Sequence, residues 1–205
     1  MRNFIEHILK ENYEECRSKS LINCHTKGLH SIMLIDKPEQ RVRLFVTDST
    51  HDLWKNSDIN DKMSIAIHPH HCNLTIIPLN NIIHNLNYEL SKTKGTPVTL
   101  FKWESGIINK KGKFIKCLIQ DAKLLNGNRE KLYPNESKYL KANDLHTVYV
   151  DKKAVASWLI IEGKEDKNYQ PYAYSLNNLE KFNSNGLYKK PTKKEFNKII
   201  NLLNI

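Results

Sequence analysis

The stretch Met63-Ser64-Ile65-Ala66-Ile67-His68-Pro69-His70-His71-Cys72-Asn73-Leu74-Thr75-Ile76-Ile77 sets three imidazoles within four residues, between two short apolar runs. Both flanks are rich in β-branched residues and short, which favours strand over helix. Imidazole is the commonest protein ligand for a transition metal and the side chain that titrates nearest neutral pH. A histidine cluster carried on strands therefore points to a metal or acid–base site inside a β-fold. In a regular strand positions 68 and 70 share one face and 71 takes the other, so His68 and His70 can serve one ion. Pro69 has no amide hydrogen for a central ladder, which puts the cluster at an edge, a bulge or a bend. There His71 can turn inward in place of His68.

Working outward, the N-terminus reads as a helix. Asn3 can cap it with Glu6 three positions on, and Phe4, Ile8, Leu9, Tyr13 and Cys16 recur near helical spacing before Gly28. From His30 the pattern becomes β. Residues 31–35 and 42–47 read as strands joined by a hairpin-length connection. Val42, Leu44 and Val46 alternate with Arg41 and Arg43, marking a half-buried strand with two arginines on its other face. Further strands are expected at 64–67, 73–78, 97–103, 113–119, 146–150 and 155–161, punctuated by Gly95, Gly106, Gly112 and Asn126-Gly127. No long helical pattern alternates with them, which disfavours a doubly wound parallel sheet and favours a β-sandwich or jelly roll. The tail returns to helix. Ser175 opens a short one that breaks at 183–186, and Thr192-x-x-Glu195 is a capping box leading into Phe196, Ile199, Ile200 and Leu203. The expected organisation is a helical segment over 1–28, a β domain over 29–165 and a C-terminal helical segment over 166–205. That last segment packs on the β domain or on a second subunit of a homodimer.

A second informative stretch is Asp144-Leu145-His146-Thr147-Val148-Tyr149-Val150, followed after a short turn by Val155-Ala156-Ser157-Trp158-Leu159-Ile160-Ile161-Glu162. His146 opens one strand and Glu162 closes the next, so an antiparallel hairpin would place both at one end. Glu162 there is a ligand, a general base or the partner that orients an imidazole. His51, in the turn-forming run Thr47-Asp48-Ser49-Thr50-His51-Asp52, is the other candidate catalytic residue.

Taken together, the short-stranded β domain, the His-x-His at His68 and His70, and His146 before two final strands resemble the cupin superfamily. The resemblance covers roughly residues 30 to 162. It implies a mainly β, cupin-like jelly roll with N- and C-terminal helices. It also implies one divalent transition metal (Fe, Mn, Ni or Zn), with His68, His70 and His146 as ligands and His71 as a further candidate. The sequence departs from the family where a glutamate is expected after the His pair, since His71-Cys72-Asn73-Leu74-Thr75 follows instead. Either His71, His51, Glu104 or Glu162 completes the shell, or the barrel keeps its shape without the metal. Cupins span dioxygenases, isomerases and decarboxylases and include binding proteins, so the resemblance implies a small-molecule substrate without choosing the reaction.

Other features narrow the classes. The apolar runs are far too short to cross a bilayer, and the first residues lack the apolar core of a secretory signal; the expected location is cytoplasmic. Cys16, Cys24, Cys72 and Cys117 show no Cys-x-x-Cys spacing and read as reduced thiols. A rival reading is a non-enzymatic binding protein. In it His51, Arg41, Arg43 and the histidine cluster would hold an anionic ligand such as a nucleotide or sugar phosphate. A third is a nucleic-acid-binding module, which rests on the net charge of +10 alone. The basic residues are dispersed, which argues against specific nucleic-acid recognition. Binding to DNA or RNA is therefore expected to be weak, without sequence preference, and abolished by about 200 mM salt in an electrophoretic or anisotropy titration. Tight binding that survives such salt would favour the third reading.

Overall fold

A computed structural model describes residues 1–50, 67–104, 113–117, 123–151, 153–166, 169, 171–175 and 186–204. Two short helices, α1 (Arg2–Glu11) and α2 (Tyr13–Lys19), precede the strands β1 (Leu29–Lys37), β2 (Gln40–Thr47), β3 (Leu74–Pro78), β4 (Ile83–Ser91), β5 (Thr96–Pro97) and β6 (Thr99–Glu104). There follow β7 (Lys113–Cys117), β8 (Lys123–Leu132), β9 (Lys138–Leu140), β10 (Leu145–Tyr149), β11 (Ser157–Glu162), β12 (Tyr172–Ser175) and the closing helix α3 (Lys193–Asn201). The chain is mainly β, with helices at both ends. The described strands form three antiparallel sheets, in the orders β1-β2-β11-β3-β9, β10-β4-β8-β5 and β12-β6-β7.

The alternation in β2 sets the layers. Val42, Leu44 and Val46 point to one side, where they share an apolar cluster with Ile5 and Ile8 of α1 and Phe196 and Ile199 of α3. Phe45 points to the other side. There it packs with Leu74, Ile76, Trp158 and Ile160 of its own sheet and with Ile83, Leu132 and Tyr149 of the four-stranded sheet. One face of the five-stranded sheet is thus covered by the terminal helices and the other by a second sheet. Arg43 shares parity with Phe45, and Glu162 with Trp158 and Ile160, so both charges lie on the inner face. A smaller cluster of Ile67, Tyr88, Leu100, Leu145 and Tyr174 joins the three-stranded sheet to the four-stranded one.

Several sequence expectations meet their structure here. The β1–β2 hairpin forms and closes at Lys37↔Gln40. The capping box forms as well: Thr192 Oγ1 accepts from the Glu195 amide at 3.3 Å, and Glu195 Oε2 accepts from the Thr192 amide at 2.8 Å. Asn3 does not cap; α1 begins on Met1 with no side-chain cap, and Asn12 divides it from α2. Ser175 closes a strand instead of opening a helix, so β pairing continues past residue 165. The expected helix beyond it lies outside the described residues. No described helix is long and apolar enough to cross a membrane.

The strands around His146 and Glu162 do not pair with each other. β10 pairs with β4, whereas β11 lies between β2 and β3. Between them the chain passes from one sheet to the other, with Val150 and Ala156 fully buried in the shared core. The Ala156 amide donates to Thr47 Oγ1 at 2.7 Å and its carbonyl accepts from the Thr47 amide at 2.8 Å. A crossing therefore replaces a hairpin, because both strands are apolar on their inward face and each completes a different sheet.

The run Asn126-Gly127-Asn128, turn-like in sequence, lies inside β8. Between the pairs Leu86↔Arg129 and Tyr88↔Asn126, two residues of β8 face the single residue Asn87 of β4, which is a β-bulge. A Cβ at Gly127 would lie 2.6 Å from the Asn87 carbonyl oxygen, so the bulge requires glycine. Gly127→Ala is expected to destabilise the protein by about 1–3 kcal/mol, the usual cost of overpacking, and to lower the melting temperature accordingly. An unchanged melting curve would show that the two strands separate there without penalty.

Candidate metal centre

β10 is an edge strand of its sheet, and the segment from Ile67 to His70 is stitched along it. Ile67 bridges to Tyr174 of β12 through amide–carbonyl contacts of 2.9 and 2.7 Å. His68 bridges to His146 through contacts of 3.1 and 3.3 Å, and the His70 amide donates to the Ala142 carbonyl at 2.8 Å. Pro69 needs no donor in this course; its carbonyl accepts from the Tyr169 hydroxyl at 2.9 Å.

This course brings three imidazoles together. One ring nitrogen from each of His68, His70 and His146 lies within 4.8 Å of the others. His70 Nε2 and His146 Nε2 are 2.6 Å apart. His146 Nδ1 lies 2.7 Å from Asn85 Oδ1, and the Asn85 amide donates to Asn87 Oδ1 at 2.9 Å. Asn85 is fully buried. With its NH2 group spent on Asn87, Asn85 offers His146 only an acceptor, so Nδ1 carries the hydrogen and Nε2 presents its lone pair to His70.

The electrostatics define what suits the gap. Burial, then the neighbouring His146, His68, His25 and His71, hold His70 well below the usual imidazole range. Burial, then His68 and His25, push His146 down to about 3. A charged imidazolium in the cluster is therefore disfavoured. Three neutral imidazoles are also the donor set that suits a zinc- or iron-type divalent ion, with coordination positions left open. His25 stacks on His68 with ring centroids 5.0 Å apart, and the Tyr188 hydroxyl lies 3.0 Å from His25 Nδ1. Burial, then His68 and Arg43, push His25 down to about 3.

The other sequence candidates lie elsewhere. His71 joins Cys72 and Glu162 in a separate group, not the three-histidine one. Glu162 is held on a strand of the other sheet and groups with His71 and Cys72, not with His146. Its Oε1 instead accepts from Arg43 Nε at 3.0 Å. Arg41 pairs with Asp36 at 3.0 Å and with Glu165 at 2.9 Å, so neither arginine presents an unpaired charge to an anionic ligand. His51 and the Glu104 side chain lie outside the described residues. Sequence reasoning missed Asn85, Asn87 and His25. Asparagine in a strand carries no motif, and His25 stands in a polar turn with φ of 67°.

No family model matches the chain, and no curated protein matches it. Among solved structures it is similar to hydroxypropylphosphonic acid epoxidase from S. wedmorenis, at 12% identity and a TM-score of 0.37 over 72% of this chain and 56% of that one. It is also similar to Streptomyces albus HEPD, solved with 2-hydroxyethylphosphonate and Fe(II) bound, at 9% identity and a TM-score of 0.36 over 68% and 22%. A third is FeII HppE, at 13% identity and a TM-score of 0.33 over 66% and 49%. The chain thus spans less than two thirds of each of these proteins.

The buried imidazoles set a pH dependence. In the unfolded chain they bind protons from about pH 6.5 downward, whereas folded His70, His146 and His25 stay neutral well below that. Their contribution to stability is complete above about pH 6.5 and is lost as pH falls towards their folded values. The melting temperature of metal-free protein is expected to fall between about pH 6.5 and 5, before most carboxylates titrate. A flat profile through that window would contradict the neutral, buried assignment.

Proposed function

We propose that this chain is a cupin-like, metal-dependent enzyme acting on a small molecule, with His68, His70 and His146 holding one divalent transition ion (Fe, Mn, Ni or Zn). The observation that carries the reading is the convergence of one ring nitrogen from each of His68, His70 and His146 within 4.8 Å, with the far nitrogen of His146 tied to a buried amide. At 2.6 Å the Nε2 atoms of His70 and His146 are at hydrogen-bond distance, and a further separation of about 0.8 Å brings them to the roughly 3.4 Å of two ligands on a tetrahedral ion. When bound, such an ion supplies Lewis acidity or redox chemistry at its open positions. The chain's own residues do the rest. Asn87 orients Asn85, Asn85 sets the His146 tautomer, and the backbone bridge at His68 keeps the rings converged. All three ligands are neutral, so the ion's charge stays uncompensated and favours an anionic oxygen donor on the substrate. That attraction needs no arginine, which matters because Arg41 and Arg43 are both paired.

Protein purified without chelator or affinity metal is expected to carry Fe, Mn, Ni or Zn by elemental analysis. His70→Ala should remove one equivalent. Asn85→Leu should weaken uptake roughly 10–100-fold, the usual effect of losing a partner that orients a ligand histidine, beyond any loss of stability seen in the metal-free melting temperature. Metal-free protein that neither takes up these ions nor changes its melting temperature on their addition would end the metalloenzyme reading.

A further inference from the structure

We propose a second cation site, formed by His71, Cys72 and Glu162 and suited to a zinc-type ion. Its ring nitrogen, thiol sulfur and carboxylate oxygen lie within 4.8 Å of one another. The fold builds it from two neighbouring strand ends. Glu162 is the last residue of β11, paired with Leu74 at the start of β3, and His71-Cys72 lead into that start. The Asp166 amide donates to the His71 carbonyl at 2.8 Å, and the Gly163 amide donates to the Asn73 carbonyl at 2.9 Å. Both sides of the site are thus held by backbone.

A ligand is indicated by what is left unpaired. Among the described residues, His71 Nε2 and Glu162 Oε2 are two of three buried side-chain polar atoms without a hydrogen-bond partner. Glu162 has a side chain only 10% exposed, and Arg43 occupies its other oxygen. The two orphaned atoms are 3.8 Å apart, too far for a hydrogen bond. It is close to the roughly 3.4 Å that separates two ligands each about 2.1 Å from a tetrahedral ion. A buried polar pair arranged at ligand spacing, with a third donor in place, is accounted for by an ion between them.

The donor chemistry selects the ion. Burial, then Glu162, push the Cys72 thiol up to about 11, so by itself it is an inert thiol. A bound cation stabilises the thiolate, and the proton passes to solvent as the metal–sulfur bond forms. One thiolate and one carboxylate, the latter shared with Arg43, then offset part of a divalent charge, whereas the histidine triad offsets none of it. Imidazole, thiolate and carboxylate together suit zinc. Bound there, the ion fastens the segment carrying His70 to the end of β11. The inference does not depend on occupancy of the three-histidine site.

The test is a Co2+ titration of the full chain as a spectroscopic stand-in for Zn2+. A near-ultraviolet thiolate-to-cobalt charge-transfer band is expected, with one proton released as that equivalent binds at neutral pH. Cys72→Ser should abolish the band and lower the bound metal by one equivalent. His70→Ala and Cys24→Ala should keep the band, which separates this site from the three-histidine centre. Absence of the band and of proton release in Co2+-saturated wild-type protein overturns the proposal, even if Cys72→Ser fails to fold. A band that survives Cys72→Ser overturns it as well.

Discussion

The backbone bridge between His68 and His146 is the constraint on which the arrangement depends. It adds the segment from Ile67 to His70 to the open edge of β10, and so joins residues far apart in the chain; His70 and His146 are separated by 76 positions. Closing so long a loop costs only modestly more entropy than closing a shorter one, and the surrounding sheets close it anyway. Once the bridge is made, alternation does the rest. His146 lies opposite Asn87 on β4, with Asn85 its diagonal neighbour on the same face. The ladder that holds β10 in its sheet is therefore also the frame that orients the His146 ring.

Polar groups this deep in a β-sandwich are tolerated because they satisfy one another. Asn85 and Asn87 form a chain that ends on His146, and Arg43 neutralises one oxygen of Glu162 on the inner face of the other sheet. Where the pairing is incomplete, at His71 Nε2 and Glu162 Oε2, the remaining geometry is that of ligands. Consecutive residues thus serve different groups: His70 faces neutral imidazoles, while His71 faces a thiol and a carboxylate. The bend after Pro69 makes that division.

Much of the fold was legible in the chain. The alternation of Val42, Leu44 and Val46 with Arg41 and Arg43 described β2, and Thr192 with Glu195 marked the last helix, because these are local rules of pleat and cap. The strands β4 and β8 were not legible. Asn85 and Asn87 lower the strand propensity of one, and Gly127 imitates a turn in the other. Each is explained only by its neighbour: Gly127 by the approach of the Asn87 carbonyl, Asn85 by the ring nitrogen it accepts from. The crossing from β10 to β11 was hidden for a similar reason. Two apolar strands with a short connection satisfy the hairpin pattern equally well, and only the competing sheet edges decide between them.

From residue types and spacing alone, the chain determined a mainly β protein with helical ends and a histidine cluster beside a later histidine. Period-2 alternation, capping chemistry and the scarcity of donors at proline are local properties. Which imidazoles converge, which nitrogen of His146 faces inward, and where His71 and Glu162 go were decided by tertiary structure. Those outcomes rest on register between strands distant in sequence, and a register shift of one residue turns every side chain to the opposite face.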